Sequence, residues 1–349
     1  MSSHLQTLLL GTMRVDRSRT LLAGAIRTAV LLVITVSLAI YVGNPTAGIP
    51  LSIGILFVAF AEAGEEVGRR WRTMLWTNLW LMGATLAAVL VSDFAIAVVI
   101  GAAVVAFAGG IAGAAGPRAA VGGVLTLVVF IVFAGAPGLP VAALDNALLM
   151  GLGGLIITVA TVLPRIIREP GIIRVAVSPV PPLWPLIRQH LAGRDIFLRH
   201  GVRLSIAIAF ATIISETVDY PHDYWLPMTV AWVTKPDVNG TVTRVALRII
   251  GTLIGLGISA VLLLSLGVSG YAAAFVVAVA GGIAVAFVWA NYAIGVAGIT
   301  VLVVVMFSFG GDSVPEDLTL RLVATLLAGV IAIAASYIWR ADVPQPPRQ

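Results

Sequence analysis

An all-α polytopic membrane protein, with about twelve transmembrane helices in two parallel six-helix repeats, is predicted from three observations. The 349 residues are 60% hydrophobic and 11% charged, with a mean hydropathy of +1.06, whereas soluble domains carry about 25% charged residues. Apolar runs recur about twelve times, most of them near the ~20 residues needed to cross a hydrocarbon core of ~30 Å. Polar as well as apolar positions of the first half return in the second at nearly constant offsets.

In chain order, runs bounded by polar breaks place helices near 21–42, 47–63, 73–92, 94–115, 119–136 and 141–163. The second six fall near 201–218, 224–236, 242–266, 271–289, 292–310 and 318–339. This divides the chain into a first repeat over 1–163, a cytoplasmic Pro/Arg-rich linker over 164–199 and a second repeat over 200–349. Arg14, Arg17 and Arg19 precede the first run, which lacks a small-residue cleavage site and so reads as a retained helix. The second segment of each half is short and opens on a proline, Pro50 or Pro227. Each is either a tilted helix with proline in its first turn, where no hydrogen bond is lost, or a broken helix whose free backbone dipoles face a substrate.

Charge fixes an expected orientation. Alternate connections gather Arg14, Arg17, Arg19 and Arg27, then Arg69, Arg70 and Arg72, then Arg118, the linker arginines, Lys235, Arg244 and Arg248. Only Arg321 falls on the other side, with Asp93, Asp145, Glu216, Asp219, Asp223, Asp312, Glu316 and Asp317. The basic side is expected to be cytoplasmic, with both termini on it, in a plasma or inner membrane. The +5 charge and pI near 10.1 thus report orientation and not nucleic-acid binding. The absence of cysteine removes thiolate chemistry. Four scattered histidines, and no P-loop or hydrolase motif, point to a protein that is not an enzyme, with no cofactor and no metal.

The repeat is read from paired positions. Gly68/Gly240, Arg72/Arg244, Gly83/Gly255 and Asp145/Asp317 all lie 172 apart (240 − 68). Arg27/Arg203 differ by 176 and Pro50/Pro227 by 177, so a short indel separates the blocks.

Several residues are candidates for chemistry, each with a plainer reading. Lys235, Arg244 and Arg248 either attract a carboxylate, whose geometry suits the guanidinium fork, or anchor helix ends at headgroups. Arg248, Arg27 and Arg203 sit about a turn inside their helices, so either an internal role or snorkelling fits. Asp237 in Lys235-Pro236-Asp237-Val238-Asn239-Gly240 either caps a turn or takes part in proton coupling. Glu62 is the candidate proton-carrying carboxylate of the first half, next to Glu65 and Glu66, which are spaced to pair with Arg69 and Arg70. His222, among Glu216, Asp219 and Asp223, is either a proton relay or part of a wet external loop. Arg321 is either a gate cation or an i, i+4 partner of Asp317. Tyr224, Trp225 and Trp232 either stack on an aromatic substrate or, for Tyr224 and Trp225, belong to the interfacial belt.

The stretch Tyr224-Trp225-Leu226-Pro227-Met228-Thr229, Lys235-Pro236-Asp237, Gly240-Thr241, Arg244, Arg248 and Gly251-Thr252-Leu253-Ile254-Gly255 resembles the fusaric acid resistance-like family of the aromatic acid exporter superfamily. That pattern holds Tyr-Trp, a nearby Thr, Pro-Asp, Gly-Thr and two Arg before Gly-Thr-x-x-Gly. In the first half Ala63-Gly64-Glu65 replaces Lys-Pro-Asp. The resemblance implies proton-coupled efflux of aromatic carboxylates or related organic anions. Arg27, Arg203, Thr229, Lys235, Arg244 and Arg248 would meet substrate, Glu62, Asp237 and His222 would couple protons, and Arg321 would gate. Two alternatives stay open, a passive organic-anion channel and a non-transporting membrane subunit of an envelope assembly. The expected partners are the lipid bilayer, a small organic anion, protons, a second copy in a homodimer and an envelope adaptor subunit.

Overall fold

Twelve α-helices account for the described residues of the computed structural model, which are 15–62, 70–135, 143–168, 185, 188–189, 195–218, 220–310 and 314–339; no strand occurs among them. The first half contains α1 (Leu22–Tyr41), α2 (Gly48–Phe60), α3 (Arg70–Val91), α4 (Ala95–Ala112), α5 (Pro117–Gly135) and α6 (Ala143–Arg168). The second contains α7 (Ile196–Thr217), α8 (Trp225–Val233), α9 (Val238–Ala260), α10 (Gly270–Phe287), α11 (Tyr292–Phe307) and α12 (Val314–Ser336). Ten are long and apolar enough to cross a bilayer. The exceptions are α2 and α8, the two short proline-bearing segments, and Pro227 does stand in the first turn of its helix. Pro164, read as the start of the linker, instead lies inside α6, which continues to Arg168.

Helix starts follow local chemistry. Asp195 accepts from the amides of Phe197 and Leu198 to cap α7 (3.0 and 3.3 Å), and Asn291 accepts from Ile294 to cap α11 (3.2 Å). Side-chain caps of this kind satisfy amides that a helix leaves unpaired. Leu22, Ile26, Val30, Ile34 and Leu38 form an exposed apolar stripe on α1 at i, i+4 spacing. In a bilayer such a face meets acyl chains. Every residue of α8 is buried, and α11 is nearly as enclosed, so these two lie at the centre.

The halves interlock. The first helix of each packs on the fourth helix of the other, α1 on α10 and α7 on α4, while within each half the second and third helices pack on the sixth. Buried positions also run in step. Gly24, Thr28, Leu32, Val36 and Ala39 of α1 answer to His200, Leu204, Ile208, Thr212 and Ser215 of α7 at 176 (200 − 24). Met74, Thr77, Leu81, Ala84 and Ala88 of α3 answer to Val245, Arg248, Thr252, Gly255 and Ser259 of α9 at 171 (248 − 77). The same 171 relates Asn146 and Met150 to Asp317 and Arg321. It is one less than the 172 read from sequence, so exposed Asp145 does not share the buried surroundings of Asp317.

Close approach between helices depends on glycine. A Cβ on Gly153 would stand 2.1 Å from the Leu51 carbonyl oxygen, and one on Gly54 2.1 Å from that of Met150. Those atoms are backbone and cannot swing aside. Gly153→Val is expected to separate α2 from α6 and destabilise the fold by about 1–3 kcal/mol or more. Thermal unfolding of the detergent-purified variant should show a lowered midpoint, and an unchanged one would mean that the contact can slide.

Candidate functional site

Arg203, on the buried face of α7, donates through Nη1 to the Ser336 carbonyl at 3.2 Å and through Nη2 to that of Pro236. These bonds place the start of α9 and the end of α12 at one end of the molecule. At that end, Asp237 caps α9 by accepting from the Gly240 amide at 2.6 Å, and the Thr241 hydroxyl donates to the Asp237 carbonyl at 2.9 Å. The Lys-Pro-Asp turn is therefore the N-cap of α9, and Arg203 is a tie between α7, α9 and α12.

From there cations continue inward. Lys235 lies just ahead of the cap and within electrostatic reach of Arg244 and Asp237. Arg244 lies over the Tyr292 ring, 3.6 Å from its centroid. One turn deeper, Arg248 is 1% exposed, and on α12 Arg321 is 0% exposed. Each residue of α-helix rises ~1.5 Å, so Arg248 stands ~15 Å into α9 from one end and Arg321 ~10 Å into α12 from the other. The two meet within electrostatic reach inside the bundle. None of their Nε, Nη1 and Nη2 atoms has a hydrogen-bond partner. A buried unpaired ion costs several kcal/mol, and ionisable residues at this depth mark a candidate functional site.

Neutral donors without partners lie on α8, α9 and α11. Trp225 Nε1, Thr229 Oγ1, Thr252 Oγ1 and Tyr292 Oη are buried without a partner, and the Arg321 guanidinium lies 4.9 Å from the Trp225 ring centroid. Gly251 and Gly255 let α11 close against α9, with positions for a Cβ only 2.4 Å from the Ala293 carbonyl and 2.6 Å from Thr300 Cβ. That contact brings Tyr292 over Arg244.

The far end is closed by His222. Its Nε2 lies 3.1 Å from Asp317 Oδ1. The ring stacks on Trp225 (4.5 Å, 19°), packs against Phe307 at 4.8 Å, and Nδ1 is 3.4 Å from the Tyr224 hydroxyl. This corrects three expectations. His222 is packed and not part of a wet loop, Tyr224 and Trp225 are buried and not a lipid-interface belt, and Arg321 makes no ion pair with Asp317. Trp232 meets Phe57 and Phe60 edge-on inside the core. Asp219 lies outside the described residues.

Glu62 and Arg27 form a separate cluster in the first half. The buried Glu62 carboxylate accepts from Arg27 Nη2 and from Arg70 Nη1, the latter at 2.8 Å. Arg70 therefore reaches Glu62, while Glu65, Glu66 and Arg69 lie outside the described residues. Removing the carboxylate leaves two guanidinium groups facing each other, so Glu62→Gln is expected to lower stability by about 3 kcal/mol. A midpoint of thermal unfolding within a degree of wild type would show the clamp to be unimportant.

Asp317 and Tyr292 thus lie at the candidate site although sequence reasoning did not assign them to it, and Trp225, one of the two readings of which was substrate stacking, joins them. For Asp317 the signal was its place one turn before the lone outward arginine. Tyr292 gave none.

The chain is an all-α, multi-pass membrane protein with a buried arginine pair in its second half. Residues 207–335, which carry Arg248 and Arg321, match the family described as fusaric acid resistance protein-like. Curated relatives include the inner membrane protein YccS of Escherichia coli K12, 34% identical over 159 residues, covering 45% of this chain and 22% of YccS. An uncharacterized protein of Haemophilus influenzae is 30% identical over 162 residues (44% of this chain, 21% of that protein). The protein YhfK of E. coli K12 is 34% identical over 82 residues (24% and 12%). The chain thus spans about a fifth of the length of the first two relatives. No solved structure matches it.

Proposed function

We propose that the chain is an organic-anion transporter whose translocation path runs along Lys235, Arg244, Arg248 and Arg321. The observation that carries this reading is that Arg248 and Arg321 are both fully buried, within electrostatic reach of each other and without hydrogen-bond partners. Cations at that depth are costly and mark substrate paths. The two halves are taken as repeats, supported by the exchanged packing of α1 and α7 and by the matching burial. Only one half carries the charge, since Thr77 and Met150 occupy the places of Arg248 and Arg321.

Export is the favoured direction. The basic helix ends, taken as cytoplasmic, would draw anions to Lys235, and YccS is named as an inner membrane protein. Proton coupling would act through His222 and Asp317, which stand between the far side and Arg321. A continuous line of cations also suits a passive channel. Efflux of labelled organic anions, aromatic carboxylates among them, from proteoliposomes with and without an imposed proton gradient separates the two. Gradient-driven uphill flux is the expected result. Flux that only follows voltage would make the protein a channel, and no flux across the panel would remove the transport reading.

A further inference from the structure

We propose that Arg248 and Arg321 together bind a compact divalent anion, a dicarboxylate or an inorganic oxyanion of charge −2, in preference to a single aromatic carboxylate. This rests on the transport reading and narrows its substrate.

The first argument is charge. Arg321 lies within electrostatic reach of Arg248, Tyr224 and Tyr292, that is, one more cation and two phenols. Asp237 sits by Lys235 at the mouth, and Asp317 is engaged by His222. A monoanion would therefore neutralise one guanidinium and leave the other buried and repelled by nothing it can shed. A dianion brings the pair to neutrality, and charge-assisted hydrogen bonds to guanidinium are the strong ones.

The second argument is shape. An aromatic substrate is recognised by free ring faces, and the two rings nearest the arginines already carry partners. Trp225 carries His222 at 4.5 Å and the Arg321 guanidinium at 4.9 Å, while Tyr292 covers Arg244 at 3.6 Å. Around the pair the unused capacity consists of donors, namely Trp225 Nε1, Thr229 Oγ1, Thr252 Oγ1 and Tyr292 Oη. Unused donors suit the oxygens of a small anion.

The test varies charge on a constant skeleton. The purified full chain is titrated with succinate, butyrate, benzoate and sulfate at neutral pH, with thermal stabilisation giving each Kd, and the same four are followed as fluxes in proteoliposomes. Succinate or sulfate is expected to bind about tenfold or more tightly than butyrate and benzoate, and whichever divalent anion is stronger identifies the dicarboxylate or the inorganic source. Arg248→Met is expected to bring succinate down to the level of butyrate. Equal binding of mono- and divalent anions, with transport intact, would overturn the divalent site and leave the transport reading standing. No stabilisation and no flux with any of the four would overturn both.

Discussion

Arg248→Met is expected to make the empty protein more stable while lowering anion flux about a hundredfold. The two effects have opposite signs for one physical reason. Arg248 is 1% exposed, its guanidinium makes no hydrogen bond and it lies within electrostatic reach of Arg321, so without a ligand it is a buried charge under repulsion. Methionine fills comparable volume with apolar atoms, and replacing buried ions by well-packed apolar residues is often stabilising by about 1–4 kcal/mol. The flux estimate follows from losing a desolvated charge contact worth about 2–5 kcal/mol, with each 1.4 kcal/mol equal to about tenfold. Thermal unfolding without anion, anion titration and proteoliposome flux measure the three consequences. A variant that unfolds earlier than wild type and is stabilised by anions just as well would make Arg248 a structural residue, and the proposed path would have to run elsewhere.

How far this site could be read before folding depends on which force fixes each residue. The spans were legible because crossing a bilayer imposes length and hydropathy directly, and the shortness of α2 and α8 followed from the polar residues that bound them. Arg248 and Arg321 stood out as charges inside apolar runs. What sequence spacing could not give was partner choice. Asp317 and Arg321 share a helix face at i, i+4, yet Asp317 turns to His222, which is carried over Trp225 by a backbone in the left-handed region (φ 56°). Likewise Trp225 has the composition of an interfacial anchor but is 1% exposed, because α8 is enclosed on all sides. Tyr292 reaches Arg244 only through the close α9–α11 contact at Gly251 and Gly255.

The contrast between the halves bears on mechanism. In the first half a buried carboxylate, Glu62, sits between Arg27 and Arg70, a closed ion cluster that holds α1 and α3 to the end of α2. In the second half Arg203, 176 residues after Arg27, donates to two carbonyls, and the deeper arginines are left open. On the proposed reading, the compensated charge of one half serves as a fixed scaffold and the uncompensated charge of the other is completed by the ligand.

Asp317→Asn is expected to uncouple transport from the proton gradient. Asp317 is 3% exposed and pairs with His222 at 3.1 Å, the Tyr224 hydroxyl lies 3.4 Å from the other ring nitrogen, and Arg321 follows Asp317 by one turn of α12. On the proposed reading, a proton taken up by the pair from the far side changes the charge one helical turn from Arg321 and so alters the field at the proposed anion site. Asparagine keeps the shape and a polar contact to the ring but carries no charge. Gradient-driven accumulation should fall about tenfold, while exchange of the same anion across a membrane without a gradient persists. His222→Asn supplies a second arm, because asparagine tolerates the left-handed backbone better than most residues and so removes the imidazole with little strain. Both variants accumulating anion like wild type would reduce the His222–Asp317 pair to a plug that packs Trp225. Loss of exchange together with accumulation would instead place Asp317 in the permeation path itself.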